Sequence, residues 1–358
     1  MSKVFIIAEA GVNHNGSLAL AKKLIRAAAK AGADAVKFQT FSAKNLVTQT
    51  TPQADYQRTN LGRRESQFAM LKKLELTPAS HRVLADYART CGIQFMSTPF
   101  DDVSLDFLTA NFTMPYLKLS SGEITNAPFL LKSAQKRMPI ILSTGMSRLE
   151  EIREALSVLS FGLSQSAQSK PGMSAFRRAY QSRIGRQALR NKVTLLHCVS
   201  EYPAPKDQVH LKAIPFLAKE FNVAVGFSDH TLGIHAAIAA TAMGAQIIEK
   251  HLTLSRKLHG VDHRASLEPH EFEQMVQGIR DVEVMLGKAI KSVQPSEKKN
   301  IAVARRRLVA KEAIQKNDYF SEENLIAKRS LKGRPPRDFW ALIGSRAKRH
   351  YKKDEAIL

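Results

Sequence analysis

Two histidines close two apolar runs of the chain, His230 in GFSDHTLG and His251 in IIEKHLTL. If the two runs are neighbouring strands of one parallel sheet, both imidazoles point into the same mouth of the fold. Two neutral imidazole nitrogens, with further positions open to water, suit a catalytic divalent metal. The alternative is that each histidine is hydrogen-bonded without a metal. Their position at consecutive strand ends favours the metal.

Two lysines, Lys37 and Lys118, lie inside apolar runs where an unpaired ammonium group is costly to bury. Each therefore needs an anion, and nearby hydroxyls complete a cradle for a phosphate or carboxylate group. The hydroxyl residues are Ser97, Thr98, Ser121, Ser143 and Ser228. The structural alternative is a pair of Lys–Glu bridges with Glu9 and Glu123. We favour ligand binding, because an anionic substrate can share such a network.

Three carboxylates and one amide are further candidates for acid–base work or for binding hydroxyl groups: Glu9, Glu123, Asp262 and Gln39. So many hydrogen-bonding groups beside a metal suit a polyhydroxylated sugar. The chain shows no Gly-rich phosphate loop, Cys-x-x-Cys spacing or Ser/His/Asp order. These absences disfavour nucleotide-driven and serine-nucleophile chemistry.

These residues are positioned by eight short apolar runs, each followed by a helix-like stretch. Strands that alternate with helices indicate parallel βα units, and eight such units predict an α/β protein with a closed (β/α)8 TIM barrel. In that fold, polar residues at the carboxyl ends of the strands converge. The runs cover residues 4–8, 35–38, 93–96, 116–119, 140–142, 193–196, 223–227 and 246–249.

The predicted barrel domain covers residues 1–287 and is interrupted twice. Residues 42–76 lie on the mouth side, where insertions shape substrate pockets. Residues 160–192 lie on the opposite face and are Ser/Gln/Arg-rich, which favours a mobile or partner-binding excursion. We interpret 288–301 as a linker and 302–358 as a small domain. Its strand-like pieces are 312–314, 325–328 and 347–350.

The composition of the 358 residues, 44% of them hydrophobic, is ample for such a core. The two cysteines, Cys91 and Cys198, are expected to be buried thiols rather than a disulfide. No signal peptide or run of about 20 apolar residues is evident, so we expect a cytoplasmic protein without a membrane anchor.

The formal net charge of +22 is concentrated outside the barrel strands. Residues 160–192 hold seven basic and no acidic side chains, and residues 288–358 hold 19 basic and eight acidic ones. One hypothesis is a non-enzymatic protein that binds nucleic acid or an anionic surface. No aromatic residues interleave with the basic ones, so we expect no nucleic-acid partner. The simpler interpretation is a basic mouth that attracts anionic substrate, with the remaining charge solvated.

Ten stretches of the chain resemble the bacterial sialic acid synthases, the N-acetylneuraminate synthase family that includes legionaminic and pseudaminic acid synthases. They are AEAGVNHNGS, AVKFQTF, ADYQ, STPFD, LKLSSGEITN, ILSTGM, HCVSEYPAP, GFSDHTLG, IEKHLTL and VDHRAS. The C-terminal RRLVAKEAIQKNDYFSEENLIAKRS is similar to the antifreeze-like SAF domain, a β-clip fold.

The resemblance implies condensation of phosphoenolpyruvate with N-acetylmannosamine or a related amino sugar, with C–O cleavage and release of phosphate. It assigns the donor site to Lys37, Thr98, Lys118, Ser121, Ser143 and Ser228. It assigns Mn²⁺ or Mg²⁺ to His230 and His251, and the sugar to Glu9, Gln39, Tyr202 and Asp262. The catalytic candidates are Glu9, Lys37, Lys118 and, for proton handling, Glu123. It further implies a domain-swapped homodimer in which the SAF domain of one subunit offers Arg329 to the other's sugar.

Three residues depart from the family pattern: Ser200 stands for an asparagine that touches phosphate, Val261 for a proline, and Ser330 interrupts the usual Arg-Pro-Gly. None removes a lysine or histidine of the site. The leading function is N-acetylneuraminate synthesis, with legionaminic acid synthesis close behind. A further alternative is a condensation of phosphoenolpyruvate with a phosphorylated aldose, which needs extra cations for the second phosphate.

Overall fold

The computed structural model describes residues 3–62, 64–165 and 169–358. Within the chain, two compact units separate at Gly287: Met1–Gly287 and Lys288–Leu358. None of the described helices has the length and apolar character needed to cross a bilayer.

Eight parallel strands of the first unit form one sheet in the order β3-β2-β1-β8-β7-β6-β5-β4. The two terminal strands of that order, β3 and β4, pack against each other and close the barrel. The predicted (β/α)8 architecture is confirmed. The strands are β1 Phe5–Gly11, β2 Ala35–Thr40, β3 Gln94–Pro99, β4 Leu117–Leu119, β5 Ile140–Ser143, β6 Val193–His197, β7 Ala224–Asp229 and β8 Ile247–His251.

Thirteen α-helices of the described residues belong to this unit. They are α1 Leu18–Lys30, α2 Ala43–Leu46, α3 Asp55–Leu61, α4 Gln67–Lys72, α5 Pro78–Thr90, α6 Asp102–Asn111, α7 Ala127–Gln135, α8 Leu149–Ser164, α9 Met173–Gln181, α10 Arg183–Lys192, α11 Ala213–Phe221, α12 His235–Ala242 and α13 Pro269–Leu286. The Oγ atoms of Ser17 and Thr77 accept backbone N–H groups at the starts of α1 and α5. Gly32 follows α1 at φ +79°, a conformation that favours glycine.

The barrel interior is built from side chains at alternate positions along the strands, because successive strand residues face opposite sides. One interior layer is apolar: Ile7, Ala35, Met96, Ile141, Leu196 and Ile247. Two residues further along each strand the interior becomes polar, with Glu9, Lys37, Thr98, Ser143 and Glu249 all buried. We call these two sets the apolar layer and the polar layer; Lys118 and Ser228 complete the polar layer from β4 and β7.

The predicted mouth-side insertion 42–76 contains α2, α3 and α4; Arg63 lies outside the described residues. Its apolar side chains form a cluster with residues of the strand ends. The buried members are Val12, Phe41, Leu61, Met70, Leu74 and Val261. The insertion is thus anchored on the barrel by its own small core.

The basic segment 160–192 differs from the predicted mobile excursion. Its first residues complete α8, and 173–192 form α9 and α10; residues 166–168 lie outside the described part. Phe176 is buried edge-on against Phe161, with ring centroids 5.2 Å apart, and Leu189 is also buried. The composition concealed these anchors because three or four apolar residues suffice to seat a short amphipathic helix.

In the second unit, β9 Arg306–Ala310 pairs antiparallel with β10 Leu325–Arg329. The helices α14 Lys298–Ala304 and α15 Phe339–Leu342 also lie here, so α14 begins within the predicted linker 288–301. Of the other strand-like pieces, 312–314 contributes a single antiparallel bridge, Ile314 with Tyr351. The core comprises Leu308, Ala310, Ile314, Phe320, Leu325, Leu342, Ala347, Tyr351 and Ile357.

Candidate active site

A cavity of about 590 Å³ opens at the carboxyl ends of the barrel strands. With the exception of Ser97, the structure brings to its wall every candidate that the sequence analysis drew from residues 1–287 for donor, sugar and metal. These are Glu9, Lys37, Gln39, Thr98, Lys118, Ser121, Glu123, Ser143, Tyr202, Ser228, His230, His251 and Asp262. Ser97 is the exception among the hydroxyl residues, since its Oγ lies 2.6 Å from Oγ1 of Thr40, away from the cavity.

Lys37 lies at the centre of the polar layer and is almost completely buried. Its Nζ lies 2.6 Å from Oε2 of Glu9 and donates to Oγ1 of Thr98 at 3.1 Å. The strand register explains the close pair, because Glu9 of β1 stands opposite Lys37 of β2. The Lys37–Glu9 ion pair, considered above as the structural alternative, is therefore present, and both residues also line the cavity.

Lys118 does not pair with Glu123, the partner that the sequence analysis considered. Its Nζ lies 3.6 Å from Oε1 of Glu249, whose other oxygen lies 3.6 Å from Nζ of Lys37. Glu123 instead accepts a hydrogen bond from Nδ2 of Asn126 at 2.7 Å. Glu249 is thus the carboxylate shared by both lysines.

Sequence reasoning missed Glu249, although a signal was available. In a strand, side chains two residues apart share a face. Glu249 lies two residues after Ile247 of the apolar layer and two before His251, so all three point inward. Ser228 of the neighbouring strand stands opposite and donates to Oε1 of Glu249 at 3.0 Å.

The pKa values of the two lysines and two glutamates of the polar layer shift in different directions. Burial opposes the charge on Lys37, but the carboxylates of Glu249 and Glu9 outweigh it and raise the pKa of that ammonium. Burial lowers the pKa of Lys118. Burial alone would raise the pKa of Glu249, but Lys118 and Lys37 bring it down to about 2. Burial raises the pKa of Glu9, so of the two carboxylates Glu249 holds its charge more strongly.

His230 is held by Nδ1, which lies 2.6 Å from the carbonyl oxygen of Val199. A carbonyl only accepts, so Nδ1 carries the proton and Nε2 presents a lone pair. Burial lowers the pKa of His230 to about 4, which keeps the ring neutral at physiological pH.

His251 lies beside it, with ring centroids 5.7 Å apart. Burial, followed by His230, lowers the pKa of His251 well below its usual value. Its Nδ1 lies 4.0 Å from Oδ2 of Asp262 and has no hydrogen-bond partner among the described residues. A buried, unpaired nitrogen beside a second neutral imidazole fits a divalent metal.

The described residues contain no cluster of three or more His, Cys, Asp or Glu side chains arranged to hold a metal. A metal at His230 and His251 therefore needs water or substrate for its other positions. That requirement matches an open catalytic site and disfavours a closed structural one.

Tyr202 extends the histidine pair towards the insertion. Its ring centroid lies 4.2 Å from that of His230 and 5.0 Å from that of Tyr56. Across the cavity, Nε2 of Gln39 donates to Oε1 of Glu9 at 3.3 Å. Burial, followed by the nearby Glu9, raises the pKa of Asp262 to about 7. This side of the cavity combines aromatic faces with groups that exchange hydrogen bonds with hydroxyls.

Small groups that line the cavity crowd around Gly145. Its N–H donates to Oγ of Ser121 at 3.0 Å, and Sγ of Cys198 lies 3.3 Å from the same oxygen. A Cβ on Gly145 would come within 2.3 Å of Oγ of Ser200, so no larger residue fits here. Cys198 is a free, buried thiol, and Cys91 is also free.

The expectation of a basic mouth is wrong for the described residues. Lys37 and Lys118 are the basic side chains that line the cavity there, against four carboxyl groups. The carboxyls belong to Glu9, Glu123, Glu249 and Asp262. The excess positive charge of the chain therefore lies elsewhere.

The three departures from the family pattern are each locally accommodated. Ser200 lines the cavity. The carbonyl of Val261 accepts from Nδ2 of Asn60 at 2.7 Å, which secures the loop that carries Asp262. In the second unit, Oγ of Ser330 donates to the carbonyl of Lys332 at 2.8 Å, next to the exposed Arg329 at the end of β10.

Comparisons with known proteins agree with this architecture. The NeuB family matches residues 24–291, and the SAF domain matches residues 305–358. The N,N'-diacetyllegionaminic acid synthase of Campylobacter jejuni subsp. jejuni is 46% identical over 357 residues, covering 100% of this chain and 99% of the relative. The enzyme of the same name from Legionella pneumophila subsp. pneumophila is 44% identical, covering 96% of this chain and 90% of the relative.

Among solved structures, the chain is similar to the N-acetylneuraminic acid (sialic acid) synthetase of Leptospira borgpetersenii serovar Hardjo-bovis in complex with citrate. The TM-score is 0.66 at 32% sequence identity, covering 84% of this chain and 90% of the other.

Proposed function

The chain belongs to the NeuB family, with a SAF domain at its C-terminal end, and from that premise we propose that it is a nonulosonic acid synthase. It condenses phosphoenolpyruvate with an N-acetylated amino sugar and releases phosphate. The observation that carries this proposal is the buried polar layer, in which Lys37 and Lys118 are held around Glu249 at the floor of the cavity.

The donor is an anion with a carboxylate and a phosphate, and the two ammonium groups offer it two positive poles. The hydroxyls of Ser121, Ser143 and Ser228 add hydrogen bonds that orient it. Because the lysines are already positioned by carboxylates, little reorganisation is needed when charge develops in the reaction.

A charge argument supports a metal ion at the site. Among the described residues that line the cavity, two lysines face four carboxyl groups, of which Glu249 holds its charge most strongly, so the lysines alone do not balance a trianionic donor. We propose that His230 and His251 hold Mn²⁺ or Mg²⁺. Such an ion, when bound, would polarise the aldehyde oxygen of the sugar as a Lewis acid.

The reaction forms one C–C bond and one C–O bond, the latter from water to C2, and breaks the C–O bond between C2 and the phosphate. The enol carbon of the donor attacks the aldehyde carbon of the open-chain sugar, water adds to C2 of the donor, and phosphate departs with the bridging oxygen. One proton of the water goes to a base, for which Glu9 is the candidate because burial raises its pKa. The second proton leaves with the phosphate as the C2 carbonyl forms. The new hydroxyl of the sugar takes a proton, which Asp262, with a pKa of about 7, is able to hold. Glu123 remains a candidate for proton handling, since burial raises its pKa.

The insertion supports a particular class of acceptor. Apolar side chains of Leu46, Met70, Leu71 and Leu74 line the cavity, together with Phe41 just before the insertion. This wall suits methyl groups better than hydroxyls, as in a 6-deoxy sugar with two acetamido groups. Two relatives at 44% and 46% identity carry the name N,N'-diacetyllegionaminic acid synthase.

We therefore place 2,4-diacetamido-2,4,6-trideoxymannose first and N-acetylmannosamine second. A phosphorylated aldose is disfavoured, because the lysines facing the cavity are already needed by the donor.

The same shortage of positive charge supports a contribution from a second subunit. The exposed Arg329 of the SAF domain is the residue that we propose reaches the sugar in a homodimer. Replacing Arg329 with alanine then weakens sugar handling more than donor binding.

The test is release of phosphate from phosphoenolpyruvate with each of three acceptors: the diacetamido sugar, N-acetylmannosamine and N-acetylmannosamine 6-phosphate. We expect the highest kcat/KM with the diacetamido sugar, loss of activity in EDTA and recovery with Mn²⁺. Release with none of the three would overturn the proposed activity, and a preference for N-acetylmannosamine would overturn the choice of acceptor.

Metal binding has its own readout, titration of Mn²⁺ into the protein by calorimetry. We expect His230→Gln and His251→Gln to abolish binding. His197→Gln is the matched control, because His197 also ends a strand but its Nε2 lies 2.6 Å from the carbonyl of Val209. Full activity after complete metal removal contradicts the assignment.

A further inference from the structure

A second cavity, of about 200 Å³, lies beside α10 and shares no lining residue with the mouth cavity. It is lined by Tyr180, Arg183, Arg186, Leu189, Arg190, Phe221 and Asn222. The residues just after it, Val193 and Ala224, begin β6 and β7, so the cavity is at the amino end of the barrel strands. The active site lies at the opposite end.

Three arginines converge on this cavity from one face of α10. Arg183, Arg186 and Arg190 are three and four residues apart, the spacing at which helical side chains lie on the same face. All three are exposed. Among the described residues, none of the three makes an ion pair, and only Arg190 donates to a side chain, Oε1 of Gln187 at 3.0 Å.

The carboxylate near the cavity is already engaged. Oε1 of Glu220 lies 2.7 Å from Nη2 of Arg153. The guanidinium carbon of Arg153 also lies over the ring of Phe221, 5.8 Å from the ring centroid. No acidic residue lines the cavity among those described. The segment 160–192, which holds these arginines, has seven basic residues and no acidic one. Three neighbouring like charges with no counter-charge repel one another unless an anion joins them.

The floor of the cavity is formed by buried or half-buried side chains that are mainly apolar. Leu189 and Phe221 are buried, and Tyr180 is half-buried. A concave site with an aromatic floor and three guanidinium groups at its rim differs from a flat basic surface. Guanidinium forks bind phosphate oxygens in pairs, which a solvated lysine patch does not do.

We propose that this cavity binds a small phosphorylated molecule, with its phosphate held by Arg183, Arg186 and Arg190 and the rest of the molecule against Phe221 and Tyr180. The volume suits a compact ligand and excludes a long polymer from the interior. The site is separate from the donor site in the barrel mouth, and it does not depend on the proposed synthase activity.

The test combines calorimetry with hydrogen-exchange mass spectrometry on the full chain, using inorganic phosphate and adenosine monophosphate as probes. Exchange locates the ligand, because binding at the mouth and binding at α10 protect different peptides. We expect protection of peptides covering residues 180–190 in the wild type. The triple variant Arg183→Gln/Arg186→Gln/Arg190→Gln is expected to bind about tenfold more weakly or worse there.

The matched control removes the same charge from the same segment without touching the cavity: Arg177→Gln/Arg178→Gln/Lys192→Gln. It should bind both probes as the wild type does, and both variants should keep the wild-type melting temperature. Tighter binding of the nucleotide than of phosphate supports the contact with Phe221 and Tyr180, and equal binding would overturn that part of the proposal.

Three results would overturn the proposal. The first is no protection at residues 180–190 with either probe. The second is equal weakening in both variants, which is the behaviour of a general basic field. The third is binding of duplex DNA with a steep salt dependence that both variants lose, since that identifies a nucleic-acid surface.

Discussion

Two neighbouring layers inside the barrel, the apolar layer and the polar layer, lie two residues apart along the same strands. On β8, Ile247 belongs to the apolar layer and Glu249 to the polar layer; on β1, Ile7 and Glu9 stand in the same relation. Both layers are buried, so burial alone does not distinguish residues that stabilise the barrel from residues that act on a ligand. The apolar layer stabilises the barrel through packing, whereas buried ion pairs are weak evidence for stability. We therefore expect the charges of the polar layer to act on a ligand rather than to stabilise the fold.

The largest expected effect is on activity, in the polar layer. Replacing Glu249 with glutamine keeps its shape but removes the charge that Lys37 and Lys118 share. Lys118 then loses its ion-pair partner, and its pKa, already lowered by burial, falls further. We expect kcat/KM for phosphate release to fall about 10³-fold, while the unfolding free energy changes by less than about 2 kcal/mol because Lys118 is able to shed its proton.

The matched control is Ile247→Val, two residues before Glu249 on the same strand. It should reduce stability by about 1 kcal/mol and leave activity within about twofold. If Glu249→Gln instead keeps full activity and loses stability, the two layers do not differ in the way described above.

The next effect is on stability, in the apolar layer. Leu196 is completely buried, and Leu196→Ala removes packing from the barrel interior. We expect about 2–5 kcal/mol of destabilisation, measured by urea unfolding, with kcat at 25 °C nearly unchanged. Ser143→Ala, from the polar layer of the adjacent strand, is the counterpart and should lower activity with little change in stability. A large loss of kcat in Leu196→Ala would show that the apolar layer positions the site as well as supporting it.

The smallest effect concerns pH. His14, in the turn after β1, is completely buried, and its Nε2 has no hydrogen-bond partner among the described residues. Burial, followed by His81, lowers its pKa from 6.5 to about 4. Between these values the unfolded chain binds more protons than the folded one, so this contribution is complete above pH 6.5 and is lost as the pH falls towards 4.

Unfolding free energies at pH 7 and pH 5 measure this term. The wild type should lose roughly 1–2 kcal/mol more than His14→Gln between the two pH values. Leu196→Ala should show the same pH dependence as the wild type, since it removes no titrating group. Equal pH dependence in His14→Gln and the wild type would mean that His14 is not held neutral by the fold.

The sequence indicated most of the site because the barrel imposes a simple rule on it. Each apolar run ends where the strand ends, so Gln39, His230 and His251 could be assigned to one mouth before any contact was known. Glu249 was missed because it lies inside its run and was counted with the strand. The structural alternative for Lys118 named Glu123 as its partner, whereas the closed barrel supplies Glu249 from the opposite side.

By itself, the sequence determined the period of the strands, their number and the chemical types at their ends, because these follow from local alternation and turn signals. Only the tertiary structure decided which charges meet, which histidine nitrogen carries a lone pair and whether the mouth is basic. The structure also showed that the basic segment 160–192 contains α9 and α10, which pack on the barrel and border an arginine-lined cavity. The physical reason is that pairing and burial depend on residues far apart in the chain, such as Glu9, Lys37 and Glu249, which come together only when β8 closes against β1.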